Sequence, residues 1–252
     1  DFGDFIDNPD NEFQFHPVES TSMPQDIPNI SPVYPNVRIH GQGTNIDNHI
    51  ARLTEDVTIK GRLKIDVSSK LLLNNGSDGD ITAGSVLIGS DSEGGRLEFP
   101  STGNERTLTC KGDLEINPGS STNYIKVLNN TPSNLEHTLK VGGDLILRDD
   151  PNVLLDFYTN NSGGNNIVLE LIGEQTAQFT DPSGSVPEFY RIVMNKQQGD
   201  DFSFEDDFEL KGPTNGAPKA LELISGRLQL RDPGIDLTLS SGGSDFYIPA
   251  EA

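Results

Sequence analysis

The side chains best able to do chemistry in this chain are its acids, and they fall in short runs. Asp78-Gly79-Asp80, Asp91-Ser92-Glu93, Asp149-Asp150, Asp200-Asp201 and Glu205-Asp206-Asp207 all sit in or beside stretches of turn composition. A calcium ion takes roughly six to eight oxygens, which loop carboxylates and backbone carbonyls can supply together. Asp78 and Asp80 are the candidate calcium ligands on this reading; a solvated acidic surface is the competing one. No run completes an EF-hand loop or a tandem glycine-rich nonapeptide array. With 39 acids in the chain, some pair will also stand at a glycosidase separation by chance.

The other reactive types give less. His16, His40, His49 and His137 lack the spacing of a helical metal pair, and solvated loop positions are expected for them. Cys110 lies on the apolar side of its segment and reads as a small buried hydrophobe rather than a nucleophile. Arg191 and Lys196 are the bases that a polysaccharide lyase would combine with acidic ligands. Tyr124, Tyr158, Tyr190 and Tyr247 are the aromatics to inspect for sugar stacking, although core or edge packing is the plainer role. Thr107 and Thr109 form one pair, short of the ranks that an ice-binding face requires. No nucleophile elbow, Walker loop or dinucleotide fingerprint occurs. The expectation is no catalytic residue, an unidentified ligand, and no cofactor unless calcium.

The elements that position these residues are short strands. Val57-Thr58-Ile59-Lys60-Gly61-Arg62-Leu63-Lys64-Ile65 alternates apolar and polar residues about a central glycine. The same frame returns at 108–116 and 139–147, and at 202–210 with Asp206 in the glycine place. Partial copies occur at 95–99 and 226–230. Alternation of period two puts one face of a strand in a core. After each frame comes a turn, a second short alternation such as Val153, Leu155 and Phe157, and an Asn- or Ser-rich bend. Strand, bend, strand, bend is one coil of a solenoid or one hairpin of a sandwich. The starts at 57, 108, 139 and 202 show no fixed period. Few Asn-Gly dipeptides and no Trp weigh against a sandwich. The fold expected is all-β, a right-handed parallel β-helix or solenoid with irregular loop insertions, with tandem β-sandwiches as the alternative. The predicted core is Ile59, Leu63, Ile65, Leu97, Leu108, Leu114, Ile116, Val141, Leu145, Leu147, Phe208, Leu228 and Leu230.

Composition fits this. Gly 26 and Pro 16 in 252 residues suit many turns without reaching low complexity. A net charge of −21 repels phosphate backbones and anionic membranes, so neither nucleic acid nor membrane insertion is expected. One cysteine excludes an internal disulfide framework. Residues 1–48 are proline-rich and read as a disordered linker, or as an extended leader or cap that lays its aromatics on the first coil. Residues 49–252 read as the solenoid, continuing past the end of this sequence. The opening Asp1 suggests a mature chain or a fragment.

The segment 221–230, then Leu237-Thr238-Leu239 and 243–249, resembles the β-solenoid repeats of very large surface proteins of Bacteroidota. The resemblance covers about residues 50 to 252 and rests on alternating leucines and glycine turns. It implies type IX secretion, an extracellular or cell-surface location, and adhesin-like or filament-like roles. The implied partners are other segments of the same large protein, cell-surface proteins, or glycans. It supplies no catalytic residues. A non-catalytic structural or adhesive segment is therefore the expected function, with a carbohydrate-binding or polysaccharide-degrading β-helix as the alternative.

Overall fold

The computed structural model describes residues 2–19, 23–28, 30–42, 45–90, 94–118, 122–128, 134–148, 153–159, 164–182, 186–213, 219–231 and 246–247. Every strand pairing among them is parallel, so the chain is a β-solenoid of about seven turns and not a pair of sandwiches. Each rung has three faces. Faces one and two belong to a 16-stranded sheet and face three to an 8-stranded sheet.

Rung one consists of Val33–Tyr34, Val37–His40 and Ile50–Leu53. In rungs two and three a long strand, Val57–Asp66 or Ile81–Ile88, turns the first corner before Ser69–Leu73 or Gly95–Phe99. Rung four is Thr107–Cys110, Leu114–Ile116 and Asn123–Val127; rung five is Glu136–Val141, Leu145–Leu147 and Val153–Asp156. Rung six is Asn166–Leu171, Ala177–Thr180 and Glu188–Phe189; rung seven is Arg191–Asn195, Asp201–Phe204 and Glu209–Leu210. Leu221–Ser225 and Arg227–Leu230 begin rung eight, and Phe246–Tyr247 adds to it on face one. Parallel pairing also reaches back into residues 1–48. Phe13–Phe15 pairs with Val37–Ile39, and Gln25–Asp26 with Ala51–Arg52. Phe13 and Phe15 pack against the core there.

Register follows from the alternation, since a slip of one residue would turn every inward side chain outward. On face one Val57, Ile81, Leu108, Leu139, Leu169, Ile192 and Leu221 lie in one column. On face two the column is Val37, Leu63, Val86, Leu114, Leu145, Phe179 and Phe204. Face three stacks Ala51, Leu71, Leu97, Ile125 and Leu155. The columns converge in a single core cluster. Glycine is needed at the first corner because successive rungs nearly touch there. A Cβ on Gly84 would stand 2.5 Å from the Lys60 carbonyl oxygen, and one on Gly142 would overlap that of Lys111.

The strand map explains the uneven spacing of the frames. Face-one strands begin 24 to 30 residues apart (57−33 at the short end, 166−136 at the long end), so the true repeat is one rung. The frame starts at 57 and 108 are two rungs apart, and those at 108 and 139 one rung. The frame at 202–210 occupies faces two and three instead of one and two. Asp206 therefore stands in a different turn from the glycines, where its Oδ2 accepts the Asp181 N–H at 2.6 Å. Two predicted core positions are corrected. Leu228 is only partly buried and Leu230 is 39% exposed. Among the described residues no strand follows Arg227–Leu230 on face two, so those side chains are covered from one side only. The other eleven predicted core residues are all in the cluster.

Leu145→Asp should cost about 3–5 kcal/mol, because it buries an unpaired charge between Leu114 and Phe179. Leu230→Asp should cost less than about 1 kcal/mol. Urea unfolding of the two variants checks the difference.

Candidate functional site

Several acids of the turns bond to the backbone of a neighbouring rung. Asp56 Oδ1 accepts the N–H groups of Gly79 and Asp80, each at 2.9 Å, and these bonds hold its carboxyl below the usual range. Asp80 Oδ1 accepts the Thr107 N–H at 2.9 Å. At the first corner Asp113 accepts the Asp144 N–H, and Asp144 in turn accepts the Gln178 N–H. Amide donors at the corners point along the solenoid axis, and a carboxylate one rung away satisfies them with a charge-assisted bond.

The calcium candidates lie inside this arrangement. Asp78 is exposed and accepts the Ser77 hydroxyl at 2.9 Å. Beside it the buried Arg106 reaches into the 74–77 turn. Its Nε donates to the Asn74 carbonyl at 2.6 Å and Nη1 to that of Ser77 at 3.4 Å, while Nη2 donates to that of Gly76. Its Nη1 also stands 3.8 Å from Asp80 Oδ1. Carbonyls and a carboxylate around one cation are the donor set a calcium ion would want, and here a guanidinium fills it. Among the described residues, no group of three or more His, Cys, Asp or Glu is placed to hold a metal. Asp91, Glu93, Asp149 and Asp150 lie outside the described residues.

Three polar clusters stand on the outer faces. On face two the buried Asp66 receives Arg38 through Nε at 3.0 Å and Nη2 at 2.8 Å, Lys64 at 2.8 Å and His40 at 3.4 Å. Burial opposes its charge, but Arg38 and Lys64 outweigh that and hold its carboxyl low. The next corner is strained, with Val67 at φ 52° and Ser68 at φ 55°. Ser69 Oγ ties it down, standing 2.6 Å from the Asp66 carbonyl and 2.9 Å from that of Ile39 with one proton to donate between them. On face three Asp47 accepts Lys70 and Arg96, while Glu98 accepts Lys70 at 3.2 Å and the Tyr124 hydroxyl at 2.5 Å. Burial, reinforced by Glu98, pushes the Tyr124 phenol well up. On face one Tyr190 donates to Glu136 at 2.7 Å, and Arg191 bridges Glu136 at 3.1 Å and Glu222 at 3.6 Å. Val168, Val193 and Tyr158 pack beside them.

The remaining reactive groups are built into the stack. Cys110 is buried, with its thiol pushed up to about 12 by burial. Lys196 is 1% exposed and donates to the Gly142 carbonyl at 2.9 Å and that of Ile172 at 2.7 Å. Burial lowers the basicity of its amine, against the pull of Asp200 and Asp144. His49 and His137 correct the expectation of solvated loop histidines: His49 is buried, and His137 lies fully buried at the start of a face-one strand. Its Nδ1 accepts the Arg106 N–H at 3.0 Å and its Nε2 donates to the Pro100 carbonyl at 2.8 Å, which fixes the neutral ring. Burial lowers its pKa to about 4.

Neither family models, curated proteins nor solved structures give a match to the chain, so no residue role comes to it from a relative. Among the described residues no helix is long and apolar enough to cross a membrane. The clamping role of the acids escaped the sequence reading. Its signal was present, since Asp113 and Asp144 each follow the glycine of their frames. Apart from Lys64, which shares its strand, the basic and aromatic partners of Asp66 and Glu98 come from neighbouring rungs and are visible only once the register is known.

Acid should test His137 directly. As pH falls from about 6.5 toward 4 the unfolded chain takes up this proton and the folded chain does not, so folded stability is lost across that window. The loss should reach ~3 kcal/mol and be absent in His137→Gln, measured as urea stability against pH. Calcium at millimolar concentration should raise the melting temperature no more than NaCl of equal ionic strength. A saturable, chelator-reversible rise that disappears in Asp78→Ala with Asp80→Ala would contradict this and locate an ion.

Proposed function

We propose that the chain is a non-catalytic structural or adhesive segment of a secreted cell-surface protein, displaying a rigid, acidic β-solenoid. The observation that carries this reading is where the reactive groups go. Asp56, Asp80, Asp113, Asp144 and Lys196 each bond to backbone of another rung; Glu98 is closed by partners from adjacent rungs, and Asp66 by Arg38 and His40 of rung one together with Lys64 of its own strand. Such groups stiffen a rod, with polar atoms engaged within the stack. The finer reading is a repeat region of a large Bacteroidota-type surface protein exported by type IX secretion, supported by the likeness of segment 221–230 to such repeats. Other segments of that protein, cell-surface proteins or glycans are the partners it implies.

A second reading, a carbohydrate-active β-helix, draws on the Glu136, Tyr190, Arg191 and Glu222 cluster, which gathers an aromatic, a base and two acids on one outer face. Two measurements separate them. Protease applied to intact cells should remove the chain while cytosolic proteins survive, and a polysaccharide panel should show no turnover. Protection of the chain until lysis would overturn the surface reading. Turnover abolished by Glu136→Gln would establish the enzyme instead.

A further inference from the structure

Face two carries charge in an order that is complementary to itself. One outward column runs Lys64, Leu87, Glu115 on rungs two to four, in direct register. The column beside it runs Arg62, Ser85, Asp113. Arg62 pairs with Ser85, and Asp113 lies one step before Leu114, whose partner is Val86. Over rungs two to four each column therefore reads positive, neutral, negative; Arg38 extends the basic end on rung one, Ile146 follows Glu115 on rung five, and Arg148 Nε donates to Glu115 at 2.8 Å. Arg62 and Asp113 are exposed, and Lys64, Ser85, Leu87 and Glu115 are partly exposed.

We propose that face two is the contact surface for a second copy of this chain, laid antiparallel across a two-fold axis that runs along the rung-three strand. That rotation leaves positions along the strand unchanged and reverses the order of rungs. Lys64 then meets Glu115 of the second copy, Arg62 meets Asp113, and Leu87 meets Leu87. A two-fold interface requires this reciprocity, in which one residue meets another and is met by it in return. A rigid sheet is needed to keep the four charges in step, and the Arg38, Lys64 and His40 contacts to Asp66 anchor the basic end. Elsewhere the net charge of −21 drives copies apart. At about 0.15 M salt that repulsion is screened beyond ~8 Å, whereas opposed charges in contact are screened less. Five rungs of one face amount to roughly 400 Å² per partner, about half a standard interface, so the association is weak and reversible.

Sedimentation of the full chain over a concentration series tests this. The wild type should show a monomer–dimer equilibrium near 0.15 M salt that is lost at about 1 M. Arg62→Glu with Lys64→Glu should be monomeric, and so should Asp113→Lys with Glu115→Lys. Mixing these two variants should restore dimers at least ~10-fold more tightly than either forms alone. Recovery on mixing requires both to be folded, and Arg62→Glu alone, at a side chain with no ion pair among the described residues, gives a milder loss. A wild type that stays monomeric at every concentration, dimers that persist in both reversed variants, or a mixture that does not associate would each overturn the proposal.

Discussion

Everything in this molecule depends on apolar side chains stacking at the spacing of a parallel sheet, about 4.8 Å from rung to rung. A single rung offers two or three inward residues per face, too few to exclude water. The same residues between two neighbours are sealed. Leu114 lies between Val86 and Leu145 and is wholly buried, while Leu230, with a described neighbour on one side only, is 39% exposed. Each sealed leucine or isoleucine is worth roughly 1.5–3 kcal/mol, realised only when the next rung is in place. Stability in such a stack is a property of contacts between neighbours and not of the rung itself.

The polar chemistry follows from that geometry. Close stacking brings corner backbone groups into lines along the axis, with amide donors and carbonyls directed at the neighbouring rungs. Asp56, Asp80, Asp113 and Asp144 answer the donors; Arg106 and Lys196 answer the carbonyls. Where nothing but backbone fits, as at Gly84 and Gly142, the side chain is absent. The acidity of the chain is thus partly structural.

The fold was legible because alternation is a local property. Leu63, Leu114 and Leu145 announce one face in their own frames, and the structure places all three in one column. The rung period was hidden, since the frames sampled unequal numbers of rungs and the frame at 202–210 belongs to a different pair of faces. The clusters were harder to see for the same reason. Asp66 and Arg38 are 28 residues apart in sequence and Glu98 and Tyr124 are 26 apart, distances that only the register turns into contacts. His137 looked like a loop histidine because its strand begins at Glu136, just after a stretch of turn composition.

Hydrogen exchange under native conditions tests most directly whether the rungs form one cooperative stack. The strand amides of Thr82, Cys110, Val141 and Leu171, on face one of rungs three to six, should open with closely similar free energies near that of global unfolding. Asp113→Ala, which removes the clamp between rungs four and five, should lower protection in both rungs together. Independent opening of these rungs, or a loss confined to the turn around Asp113, would contradict the account.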